Sequence, residues 1–201
     1  MVQKKLILMK KLIGFKIKTA VFISGKGSNL QNLIKFSKKK FSPITVCLVV
    51  SDDSKAKGLM YAKKNKIRYK IFSFKNKIKD ENKIRIYLYK NKINLICLAG
   101  FMKILSKSFI KKFKGKILNI HPSLLPKYKG LNTHIRALAN NEKFSGCTVH
   151  FVNNRLDSGK IIMQKRVKIY KSDNPKTLAK RILRQEHLIY PKAIKKIIFS
   201  L

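Results

Sequence analysis

Carboxylates are the scarcest functional group in this 201-residue chain: eight Asp and Glu stand against 48 Lys and Arg, a formal charge of +40. A charge of that size ordinarily points to nucleic acid or an anionic surface. Arginine is scarce as well. Only seven of the 48 cations are Arg, and the lysines are spread from Lys4 to Lys196 through predicted helices, loops and strand ends. A nucleic-acid reader uses the bidentate Arg fork and gathers its cations on one face. With Lys, Ile and Asn all plentiful, the composition reads as AT-rich coding bias filling tolerant surface positions, and the charge names no partner. Long apolar runs are missing too. The longest, Ile44 to Val50 and Leu95 to Ala99, fall far short of the ~20 residues a membrane helix needs. The three cysteines, Cys47, Cys97 and Cys147, are far apart and odd in number. That argues against a disulfide framework or a Cys-based zinc site and for a reducing compartment, the cytoplasm. Neither G-x-G-x-x-G nor G-x-x-x-x-G-K-[ST] occurs, so NAD or NTP binding is not supported. No internal repeat or low-complexity linker is present beyond local Lys runs.

What remains is a globular composition, 45% hydrophobic and 9% aromatic, enough to build a core in a chain of this length. Apolar runs at Thr19–Ser24, Ile44–Ser51, Arg68–Phe72, Leu95–Ala99 and Ile117–His121 read as strands. Between them Ser28–Lys38, Lys55–Asn65, Lys79–Lys90 and Ser106–Lys112 read as helices. Strand–helix alternation at this spacing implies an α/β fold with a doubly wound, mostly parallel sheet. Cys147–Val152 and Ile161–Tyr170 then follow each other across a turn at Leu156–Gly159, which adds an antiparallel part towards the C-terminal half. A final helix is predicted from Asp173-Asn174-Pro175, with Pro191 kinking or breaking it. Residues 1–14 are basic and apolar but carry neither Ser, Arg nor a small-residue cleavage site. They read as an N-terminal extension before a single domain over residues 15–201.

Three segments carry chemistry. Ser24-Gly25-Lys26-Gly27-Ser28-Asn29-Leu30 joins the first strand to a helix. Glycines there let the backbone approach a ligand, and the helix N-terminus attracts an anion; a plain tight turn capped by Ser28 accounts for the same residues. Asn119-Ile120-His121-Pro122 ends the fifth strand, where open α/β sheets bind ligands. Asn119 and His121, one residue apart, project from the same face. An amide donor beside an imidazole can hold a developing oxyanion and move a proton. Asp157, one of the eight acidic residues, sits in the turn before the last strand. Close to His121 it would favour the charged imidazole; by itself it could equally shape the turn.

Taken together, Ser24–Leu30, Leu98–Ser106, Asn119–Pro126, Gly146–Val152 and Gln185-Glu186-His187 resemble the phosphoribosylglycinamide formyltransferase family, in order from about Lys16 onward. The resemblance implies a Rossmann-like formyltransferase fold. It also implies transfer of a formyl group from 10-formyltetrahydrofolate to the amine of glycinamide ribonucleotide in purine synthesis, with no metal. Asn119, His121 and Asp157 match the catalytic trio, with Asp157 keeping His121 charged. Gly27, Ser28 and Asn29 match the loop holding the ribonucleotide phosphate, and Glu186, with Gln185 beside it, a carboxylate near the glycinamide end. Met102, Lys103, Ile104 and Leu105 match the folate pocket, with Lys103 where Arg is frequent; Asn119 borders it as well. Lys77 is the nearest match by spacing, and Lys79 the next, for a folate-side cation that is Arg elsewhere. His150 matches a histidine at the site's edge; His134 and His187 read as structural. The implied partners are small-molecule substrates, with no specific nucleic acid and no membrane, for a monomer or homodimer.

Two relatives within that superfamily fit less well. Methionyl-tRNA formyltransferase needs a second domain of about a hundred residues and lacks the Gly27-Ser28-Asn29 loop. Formyltetrahydrofolate deformylase needs an N-terminal regulatory domain where only residues 1–14 precede the first strand. A basic RNA-binding module would have no reason to keep Asn119, His121 and Asp157 together.

Overall fold

The computed structural model describes residues 16–199; the expected N-terminal extension, residues 1–14, lies outside them. Two compact units account for the described chain. One runs to Ile117 and takes in the residues from Lys195; the other runs from Leu118 to Ile194.

The first unit alternates strand and helix as the apolar pattern predicts: β1 (Ile17–Ile23), α1 (Ser28–Ser37), β2 (Ile44–Ser51), α2 (Leu59–Lys64), β3 (Arg68–Ile71), α3 (Lys77–Lys90), β4 (Leu95–Leu98) and α4 (Lys107–Lys112). β1 pairs in parallel with both β2 and β4, and β2 with β3. The continuous apolar runs are the buried strands: Ala20 to Ile23 and Ile96 are fully covered. β3 is different. All four of its residues are exposed, and Arg68 and Lys70 give this edge the charge that discourages strand addition. α1 buries Leu30, Leu33 and Ile34 at helical spacing.

The second unit begins at Leu118 within β5 (Lys116–His121), continues through α5 (Thr133–Ala139), β6 (Phe144–Phe151) and β7 (Ile161–Lys168), and ends at Ile194 within α6 (Pro175–Phe199). β5 pairs with β6, and β6 with β7, all antiparallel, so the expected antiparallel part is present. Thr148 pins the chain after β5: its hydroxyl donates to the Ser123 carbonyl at 2.6 Å and accepts from Leu125 N–H at 3.1 Å.

Two features of the helices have simple causes. α6 runs through Pro191 without a break, one of the two outcomes expected there. A proline there forfeits one backbone bond, but Ile189, Tyr190, Ala193 and Ile194 on either side are buried, and packing of that kind outweighs local propensity. α5 has no counterpart among the predicted helices, because seven residues with only Thr133 and Ala137 buried leave too short a periodic signal.

Candidate active site

In the second unit, antiparallel pairing sets Asn119 of β5 directly across from His150 of β6, and His121 across from Thr148. Asp157 comes to the same place from the turn between β6 and β7. The turn is fixed at its base, where Phe151 N–H donates to the Lys160 carbonyl at 3.0 Å. Gly159 permits it, since a Cβ there would collide with the Phe151 carbonyl oxygen. Asp157 itself adopts φ 44°, a left-handed conformation that Asp tolerates better than most residues.

The Asp157 carboxylate is the hub. Its Oδ1 accepts from Asn119 Nδ2 at 3.2 Å and lies 3.5 Å from His150 Nε2. Its Oδ2 accepts from Gly130 N–H at 2.9 Å and lies 3.3 Å from His121 Nδ1. Asp157 is 9% exposed, His121 5% and His150 2%, so these contacts form largely out of water. A carbonyl can only accept, so His121 Nε2 donates to Tyr128 O (2.8 Å) and His150 Nδ1 donates to Phe151 O (2.8 Å). Asn119 Nδ2 lies 3.3 Å from His150 Nε2. The structure therefore brings together Asn119, His121 and Asp157, which sequence alone could not join, and seats His150 inside the cluster rather than at its edge.

The charge state departs from expectation. Burial pushes His121 below the ordinary histidine value; the Tyr128 carbonyl and Asp157 pull the other way without overcoming it. The resting ring is thus neutral near pH 7, not held charged by Asp157. A neutral imidazole has one proton for two facing acceptors, Tyr128 O and Asp157 Oδ2, so the geometry is set to receive a second. Burial also works against the ionised form of Asp157, but the neighbouring His150 ring and the hydrogen bond from Gly130 N–H outweigh it and keep the carboxyl acidic. NMR titration of the His121 ring should show a midpoint below the ordinary histidine value. In Asp157→Asn, which removes a group favouring the cation, the midpoint should fall further; a rise would contradict this electrostatic picture.

Glu186 is buried on α6. Burial and the nearby Glu186 charge push the Cys147 thiol up to about 12, so it stays protonated. Gln185 beside it is half-buried. His134 on α5 is held below its ordinary value by burial and by the nearby His121.

The first unit carries the other predicted residues. Gly27, at φ 72°, caps α1 with no side-chain hydrogen bond; Ser28 is the first helical residue rather than the cap, and Asn29 is buried. The loop is held from two sides. Gly58 N–H donates to Gly25 O at 2.8 Å, while Ser24 N–H donates to Gly100 O at 3.0 Å and Ser24 Oγ accepts from Met102 N–H at 2.8 Å. Met102 and Ile104 expose apolar side chains, whereas Leu105 is buried. Lys103 Nζ lies 3.9 Å from Asp52, a pairing the sequence did not suggest. Glu81 of α3 accepts from both the N–H and the hydroxyl of Ser106 (2.7 and 2.5 Å), anchoring the end of this segment. Lys77 is the exposed first residue of α3, and Lys79 donates its N–H to the Asn76 cap. Among the described residues no group of His, Cys, Asp and Glu is arranged to hold a metal ion.

The formyl transferase family matches residues 17–194, and the chain belongs to it. It is 44% identical over 181 residues to the phosphoribosylglycinamide formyltransferase of Haemophilus influenzae, covering 89% of this chain and 85% of that one. The trifunctional purine biosynthetic protein adenosine-3 of Homo sapiens is 41% identical over 183 residues; the match covers 90% of this chain but only 18% of the human protein. The crystal structure of the Brucella melitensis phosphoribosylglycinamide formyltransferase superposes with a TM-score of 0.86 at 42% identity, covering 90% and 95% of the two chains. Within its family, then, the chain stands with the phosphoribosylglycinamide formyltransferases.

Proposed function

We propose that this protein moves the formyl group of 10-formyltetrahydrofolate to the amine of N1-(5-phospho-D-ribosyl)glycinamide, giving formylglycinamide ribonucleotide for IMP synthesis. The observation that carries the reading is the convergence of the trio: buried Asp157 accepts from Asn119 Nδ2 at 3.2 Å and lies 3.3 Å from Nδ1 of buried His121. The substrate amine attacks the formyl carbon, and the bond from that carbon to the folate nitrogen breaks. Asn119 and His121 hold the intermediate oxyanion, the ring taking up a solvent proton as negative charge develops and returning it to solvent as the intermediate collapses. Asp157 balances that cation and orders the water that relays a proton from the attacking nitrogen to the leaving folate nitrogen. Oxyanion stabilisation of this kind is usually the largest part of such a rate enhancement.

The substrates are small molecules. The uncapped start of α1, with Gly27, Ser28 and Asn29, is chemically suited to the ribonucleotide phosphate. Glu186, with Gln185 alongside, is the carboxylate assigned to the glycinamide end. The exposed Met102 and Ile104, with Leu105, offer an apolar surface for the pteridine; Lys103 and Lys77 supply cations for the folate carboxylates, and Asn119 is assigned to the folate as well. No described helix is long and apolar enough to cross a membrane; we place the enzyme in the cytoplasm, as a monomer or homodimer.

The direct test is formyl transfer to synthetic glycinamide ribonucleotide, followed by absorbance; a folded protein without turnover would overturn the reading. Gly27→Ala tests the phosphate assignment. Its Cβ would meet Gly58 Cα at 2.5 Å on a backbone already at φ 72°. The loop must shift, so KM for the ribonucleotide should rise about tenfold or more, the loss expected from one or two N–H contacts to an anion. KM for the folate should change little.

A further inference from the structure

Between β5 and α5 the backbone is used alternately on its two sides. On one side, Tyr128 O receives the His121 ring proton at 2.8 Å, and Gly130 N–H donates to Asp157 at 2.9 Å. On the other, the carbonyls of Lys129 and Leu131 both accept from Arg136 Nη1, at 2.7 and 3.4 Å. The Arg136 guanidinium also lies over the Tyr128 ring, 5.2 Å from its centroid. The Tyr128 hydroxyl donates to Glu142 at 2.8 Å, and the same carboxylate oxygen pairs with Lys127 at 2.7 Å. Tyr128, Gly130 and Asn132 all have positive φ (57°, 76° and 57°). Outside glycine, such a conformation persists only where the surroundings hold it.

Building on the catalytic roles proposed above, we propose that Arg136 is a positioning residue for formyl transfer: its guanidinium clamps two carbonyls and one ring of the 128–131 segment, so that the groups between them meet His121 and Asp157. The guanidinium donates to the loop carbonyls and not to those two side chains, and Arg136 is exposed on α5. It acts through the loop. A lysine has one ammonium and no planar face to stack on Tyr128, so it can replace the clamp only in part.

The charged and titratable groups around His121 make the test discriminating. They are Asp157 on the β6–β7 turn, His150 on β6, and His134 and Arg136 on α5. The Arg136 charge opposes protonation of the ring, while the Tyr128 carbonyl favours it more strongly than Asp157 does. In Arg136→Met, which keeps the apolar stem, a loosened loop withdraws that carbonyl, so the His121 NMR titration midpoint should fall. Loss of the charge alone would raise it. Hydrogen exchange at Gly130 N–H should quicken, and kcat should drop on the order of tenfold, as misplacement of a catalytic group costs, with KM nearly unchanged. Arg136→Lys should recover part of each change. A rise in the midpoint, or an unchanged midpoint with unchanged Gly130 exchange in a variant of normal thermal stability, would overturn the clamp. If the unmodified protein transfers no formyl group, the proposed function fails, while ring titration and Gly130 exchange still decide the clamp.

Discussion

Asp157→Asn should lower kcat for formyl transfer about 10³-fold, roughly 4 kcal/mol of transition-state stabilisation, and leave the protein folded. Two donors bind this carboxylate, Asn119 Nδ2 at Oδ1 and Gly130 N–H at Oδ2, and the His150 and His121 rings face the same two oxygens at 3.5 and 3.3 Å. An amide has one accepting oxygen and one donating NH2. Whichever way it turns, one of these two donors faces another donor, and the negative charge that balances a developing imidazolium is gone. Folding should survive, because Asn is well suited to the left-handed backbone found at φ 44°. Thermal melts and steady-state rates would be measured side by side. A loss smaller than about tenfold would be too small for the removal of one oxyanion-site group and would sink the assigned role.

His121→Ala should cost about as much, between 10² and 10³ in kcat, the range found for single oxyanion donors. The ring is almost wholly buried, and its two nitrogens face acceptors on opposite edges, Tyr128 O and Asp157 Oδ2. No neighbouring side chain can take over both contacts. The more revealing experiment combines the two changes. If Asp157 works by supporting the protonated ring, its substitution has little left to remove once the ring is absent. The double variant should then be scarcely worse than His121→Ala. Multiplying deficits would show that the two act independently and would remove the charge-balancing role from Asp157.

The strands and the trio were legible in the sequence for different reasons. Continuous apolar runs such as Ala20–Ile23 announce themselves as buried strands, and Asn119 and His121 share a face by the period of two. That Asp157 reaches them was not legible from spacing: the contact depends on the β5–β6 register and on a turn returning beside Phe151, and only the family resemblance suggested it. The resting charge of His121 differs from the sequence expectation for a physical reason. Sequence shows the neighbouring carboxylate but not the burial, and burial is the larger influence. Arg136 gave no signal, because one cation among 48 stands out only when the carbonyls it gathers are seen. The Asp52–Lys103 pair escaped notice because its members come from segments that only the sheet brings close.

The contact between the loop after β1 and the start of α2 also constrains how this enzyme can drift through sequence space. Gly58 has φ −61°, a value any amino acid accepts, and in an alignment it would pass for an unremarkable helix cap. Yet a Cβ on it would meet the Ile23 side chain at 2.7 Å and Gly27 Cα at 2.9 Å, just as one on Gly27 would meet Gly58 Cα at 2.5 Å. Neither position can be freed by changing the other, because each is already as small as a residue can be. The two sites form a mutational dead end, 31 residues apart along the chain. Substitution elsewhere on the surface is free by comparison, and sequence drift should leave both glycines untouched.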